Sequence, residues 1–85
     1  MSAKITNGKS GESESFALEI DSVNGDKAVL MGPDSERLRE LLGTWGNGSY
    51  GNAEFDVETA TITLRRCTVE SDLTGGLVVD FMGRE

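Results

Sequence analysis

"FALEIDSVNGDKAVLM", Phe16 to Met31, is the stretch whose reading decides the fold. In its first half Phe16, Leu18 and Ile20 alternate with Ala17, Glu19 and Asp21, so a strand over Phe16 to Val23 sends one set inward and the other to water. Asn24-Gly25 follows. Both residues tolerate positive φ, as a two-residue hairpin turn requires. Lys27 to Met31 is then the return strand. A turn at Asn24-Gly25 places Ile20 opposite Val29 and Leu18 opposite Met31, with the apolar pairs on one face.

Downstream, "GPDSERLRELLGTW", Gly32 to Trp45, changes the period from two to 3.6. Leu38, Leu41, Leu42 and Trp45 fall at i, i+3, i+4 and i+7, a single apolar stripe. Pro33 suits the first helical position, Asp34 and Glu36 suit the positive end of the helix, and Gly43 suits its stop. Beyond it, Ala53, Phe55 and Val57 alternate with Glu54, Asp56 and Glu58, and the apolar phase then flips to Ala60, Ile62 and Leu64. A hairpin turning at Glu58-Thr59 explains the flip by pairing Val57 with Ala60, Phe55 with Ile62 and Ala53 with Leu64; a bulged continuous strand is the alternative. Thr74-Gly75-Gly76 turns the chain into a last strand, Leu77 to Met82, which alternates Leu77, Val79 and Phe81 with Val78, Asp80 and Met82.

The reading is a small single α+β domain over 15–85, in ββαβββ order, with a largely antiparallel sheet and one amphipathic helix packed on one face. Residues 1–14, "MSAKITNGKSGESE", are rich in Ser, Gly and charge and read as a flexible N-terminal arm. A short strand at Ala3 to Thr6, turned by Asn7-Gly8, is the weaker reading of the same segment. One helix covers one sheet face. The other is left to solvent or a partner, and alternation gives it Glu19, Asp21, Glu54, Asp56, Thr61, Thr63 and Asp80.

Fifteen acidic against eight basic residues give a net charge of −7, which repels nucleic acid and anionic lipid and attracts basic partners. No apolar run approaches the roughly 20 residues that span a bilayer, and the polar start is not a signal peptide. With one cysteine and no histidine, there is no intrachain disulfide, no imidazole base and no imidazole metal ligand. These features point to the cytoplasm and away from an enzyme.

"GTWGNGSYGN", Gly43 to Asn52, contains a G-x-G-x-x-G. Such a motif binds pyrophosphate when it follows a strand and opens a helix. Here it follows a helix and precedes a strand, and helix C-termini are negative. Base stacking on Trp45 and Tyr50 would want a basic groove, which this chain lacks. The loop therefore reads first as a flexible connection and second as a protein-recognition loop presenting Asn47 and Tyr50. Cys67 follows Arg65 and Arg66, which favours thiolate, but without a base it reads as a structural thiol. Glu54, Asp56 and Glu58 make a carboxylate row about 7 Å apart along a strand. It could serve glycoside hydrolysis or calcium, but a small sheet offers no deep cleft, and Asp21 to Asp26 lacks the spacing of a calcium loop.

The expectation is a non-enzymatic protein-binding module without a cofactor, monomeric or weakly dimeric. It would dock through Glu19, Asp21, Glu54, Asp56, Glu58 and Asp80, with Tyr50 and Asn47, on a basic protein surface that can itself be a nucleic-acid-binding one. Charge and size alone place it beside small inhibitors, adaptors and phage-encoded antagonists. The alternatives are an assembly subunit that pairs edge strands, and, last, a metal protein or small hydrolase using the acidic row.

Overall fold

The computed structural model describes residues 2–85. It has an antiparallel sheet of eight strands and one α-helix, an α+β fold. The strands are β1 (Ala3–Asn7), β2 (Ser13–Phe16), β3 (Glu19–Asn24), β4 (Lys27–Met31), β5 (Phe55–Glu58), β6 (Thr63–Leu73), β7 (Gly76–Asp80) and β8 (Gly83–Arg84). The helix, α1, spans Ser35–Trp45, and a 3₁₀ turn covers Tyr50–Asn52. From β3 to β7 the order is the expected ββαβββ. The sheet runs β2-β1-β5-β6-β7-β4-β3, with β8 beside β6.

The segment read as an arm is part of this sheet. Ala3 and Ile5 alternate with Lys4 and Thr6, and the first pair is buried. Asn7 closes the turn to β2: its carboxamide oxygen accepts the amides of Lys9 and Ser10, the Asx arrangement that replaces a backbone turn bond. What reading the arm from composition missed is β5, some fifty residues away, which pairs Ile5 with Val57.

The stretch Phe16 to Val23 is not one strand. Phe16 ends β2, Ala17-Leu18 turns a corner, and β3 begins at Glu19. Asp34 explains the corner. Its carboxylate accepts the Ala17 amide at 2.7 Å, while its own amide donates to the Ala17 carbonyl. Those contacts and the Arg37 guanidinium hold the Asp34 carboxyl below the usual carboxylate range. Asp34 thus clamps a strand corner and makes no side-chain cap to α1. The β3–β4 hairpin is offset from the expected register. Asn24 faces Lys27 across Gly25-Asp26, and Ile20 faces Leu30 after a bulge at Asp21.

The expected Glu58-Thr59 turn is instead a four-residue connection, Thr59 to Ile62, and Val57 faces Leu64. The Thr59 hydroxyl organises it, accepting the amides of Thr61 and Ile62 and donating to the Ile62 carbonyl. Further along, β6 bulges opposite Asp56. Arg66 takes a positive φ of 56° there, and its amide donates to the Asp56 carboxylate. The bulge lets Leu64 and Cys67, three residues apart, both point into the core.

One core collects buried side chains from six strands of the main path, including Ile5, Phe16, Ala28, Phe55, Cys67 and Val79, and Ile20 and Val23 of β3 pack against it. The sheet therefore curls and buries most of its inner face against itself. Helix α1 adds Leu38 and Leu42, both fully buried, and lies against the 3₁₀ turn and β7. Each such leucine contributes about 2 kcal/mol by leaving water. Leu41 and Trp45 pack at the rim of the core.

Candidate functional site

The eight charged pairs among the described residues have a simple pattern. Lys27 bridges Glu70 and Asp80; Arg37 bridges Glu14 and Asp34; Arg39 bridges Glu36 and Asp72; Arg65 bridges Asp56 and Glu85. Each of these four cations thus serves two carboxylates. That pattern divides the residues expected to form one acidic face. Asp80 sits 2.6 Å from the Lys27 ammonium. Asp56 is tied to Arg65 at 3.1 Å and to the Arg66 amide. Both are neutralised from within the chain, contrary to the expectation of an uncompensated face. Among the described residues, no cation pairs with Glu19, Asp21, Glu54 or Glu58, and all four are exposed.

The curl of the sheet also separates these groups. Outward positions on β3, β5 and β7 look out from different parts of a closed surface, not from one flat face. Of these groups, Glu19 and Glu58 both line a groove of about 950 Å³. This groove lies where the two ends of the sheet fail to close on each other. Leu18, Ile20 and Val23 line one side, the β5–β6 connection with Thr61 and Ile62 lines another, and the cations Lys4 and Arg84 line it as well, Lys4 directly across the β1–β5 ladder from Glu58. Ile20, Val23 and Ile62 pack on the core yet remain partly open to solvent. Sequence reading had placed Ile20 on the core face and Glu19 on the open one. It had no signal for the groove, because that depends on the corner at Ala17-Leu18 and on a β5–β6 connection longer than two residues.

The two sheet edges differ. At β2, the side chain of Arg37 donates to the Ser15 carbonyl, pairs with Glu14 and lies 4.1 Å over the Phe16 ring, so one arginine from α1 occupies part of that edge. At β3, the backbone bonds only to β4. The β3 edge is the open one, and it borders the groove.

The glycine loop follows a definite path of turns between α1 and β5. Gly46 follows α1 and is buried; a Cβ there would lie 2.0 Å from the Ser49 carbonyl oxygen. Asn47 and Gly48 take φ of 57° and 91° in succession. Tyr50 packs on the core, and its hydroxyl donates to Asp72 at 2.6 Å. Arg39 meets the same carboxylate at 2.9 Å. Tyr50 and then Arg39 hold Asp72 below the usual carboxylate range. Tyr50 therefore pins the loop to the β6–β7 hairpin, while Asn47 is exposed.

Cys67 is fully buried, and burial, with Asp56 nearby, pushes its thiol up to about 12. No cluster of three or more potential metal-ligating side chains occurs among the described residues, and no helix is long and apolar enough to cross a membrane. Comparison with known proteins finds no matching family, no matching curated protein and no matching solved structure.

Proposed function

We propose that this chain is a small acidic, non-enzymatic protein-binding module of the cytoplasm that docks on a basic protein surface and works as an inhibitor, adaptor or antagonist. The observation that carries the reading is the groove beside β3. It combines half-open apolar side chains, Ile20, Val23 and Ile62, with a charged rim of Glu19, Glu58, Lys4 and Arg84, in which neither carboxylate is salt-bridged among the described residues. Apolar floor and charged rim are the ingredients of a protein-recognition patch. The net charge of −7 would steer a basic partner toward it. A chain without histidine, whose single thiol is buried and hard to ionise, supplies little for nucleophilic chemistry.

The test is affinity capture from the source cell with wild-type protein and with Ile20→Arg, which leaves the sheet pairing in place and fills the groove with a cation. A basic protein retained by wild type and lost with Ile20→Arg supports the reading. Equal retention by both would move docking away from the groove. An assembly subunit would instead be recognised by a defined oligomer of the purified chain at micromolar concentration.

A further inference from the structure

The open β3 edge and the groove beneath it define how a partner would bind. We infer that the partner contributes an extended segment that adds as a further strand to β3, with basic residues alternating with apolar ones. This rests on the docking function proposed above and deepens it.

Three observations converge. First, β3 has a free backbone edge, whereas at β2 the Arg37 side chain takes the Ser15 carbonyl. A free edge offers alternating N–H and C=O groups that a strand from elsewhere can satisfy. Its six residues span roughly 20 Å, enough for a segment of about six residues. Second, Ile20 and Val23 face inward, opposite Leu30 and Ala28, and stay half-buried beside the groove. Apolar side chains of an added strand would complete that layer. Third, Glu19 and Asp21 project outward from the same strand, exposed and without a cation among the described residues. Lysine or arginine on the outward positions of the added strand would lie beside them.

The same charges argue against a second copy of this chain. Pairing β3 with β3 about a two-fold axis would bring Glu19 and Asp21 next to like charges, on molecules that each carry −7. Acidic side chains on an open edge block self-pairing while leaving it open to a basic strand.

The experiment uses the full chain and four synthetic nine-residue probes. One alternates lysine and valine; one carries the same residues reordered to a helical period; two are the alternating peptide N-methylated at every second residue, in its two possible phasings. Binding is followed by NMR titration and by amide hydrogen exchange. The alternating peptide should bind, slow exchange by about tenfold or more at alternate amides within Glu19–Asn24, and weaken as salt rises. N-methylation should remove binding at one of its two phasings, and Glu19→Lys with Asp21→Lys should weaken the unmodified peptide about tenfold or more. Equal binding of the helical probe, with no protection at β3, overturns strand addition and leaves the docking reading standing. Failure of all the probes to shift any resonance overturns both. Protection of β3 in the free protein, together with a dimer by sedimentation, would identify a second copy as the occupant and also overturn the proposal.

Discussion

A methyl group on Gly46 would meet the Ser49 carbonyl at 2.0 Å, and one on Gly48 would sit on a backbone at φ 91° with open space around it. The two substitutions therefore separate crowding from conformational strain. Gly48→Ala should cost about 1 kcal/mol, the ordinary penalty for a left-handed alanine. Gly46→Ala should cost more, about 3 kcal/mol, because backbone must move. Urea unfolding of both variants checks the order; equal and negligible losses would return the loop to a flexible connection. Tyr50 is tested through pH. Its hydroxyl keeps Asp72 ionised more readily in the folded state, so the bond adds stability above the unfolded-state pKa and gives it up as pH falls through the folded value. Tyr50→Phe should accordingly be less stable than wild type near neutrality, with the gap closing as pH falls through and below the ordinary carboxylate range. A gap that stays constant with pH would mean that the lost contact is packing alone. Cys67, buried with its thiol raised to about 12, should resist alkylation at pH 8 until the protein unfolds.

At the scale of elements, the bulge in β6 has a clear division of labour. Arg66 supplies a left-handed residue, and Asp56 holds its amide at 3.0 Å. Arg66→Gly should leave stability unchanged or slightly higher, since glycine takes that conformation freely. Asp56→Ala should cost about 2 kcal/mol, because a bulged amide and the Arg65 guanidinium both lose their acceptor. Thermal melts of the pair decide; an Arg66→Gly variant as damaged as Asp56→Ala would mean that the arginine side chain, not the bulge, matters. This bulge also marks the limit of sequence reading. Alternation located β4 and β7 and the apolar stripe located α1, because each is a local pattern with its buried residues at fixed spacing. Leu64 and Cys67 break the period of two, and only the Asp56 contact across the sheet shows why. The corner at Ala17 escaped for the same reason: Asp34, seventeen residues away, creates it. In the hairpin before α1, Asn24-Gly25 announced a turn correctly, but Gly25-Asp26 forms its centre.

For the molecule as a whole, the distance between sequence and structure lies in the curl of the sheet. Seven strands sharing one core turn what reads as a flat acidic face into a closed surface. Asp56 and Asp80 are then held by Arg65 and Lys27, leaving Glu19, Asp21, Glu54 and Glu58 unpaired among the described residues. The candidate site was thus half legible: the residue types were visible in the alternation, but the groove that selects among them was not. Charge reversal now has a definite place. Glu54→Lys with Asp56→Lys would damage the β6 bulge, and any loss of binding would be ambiguous. Glu19→Lys with Asp21→Lys touches exposed groups that hold nothing else in place, so folding should be preserved to within about 0.5 kcal/mol. The most direct test of the central claim, that the β3 edge and its groove form the docking site, is partner affinity for wild type and this double variant across a salt series. The account predicts a loss of more than about tenfold for the variant, and a wild-type affinity that falls as salt rises. An affinity indifferent to both the reversal and the salt would contradict it.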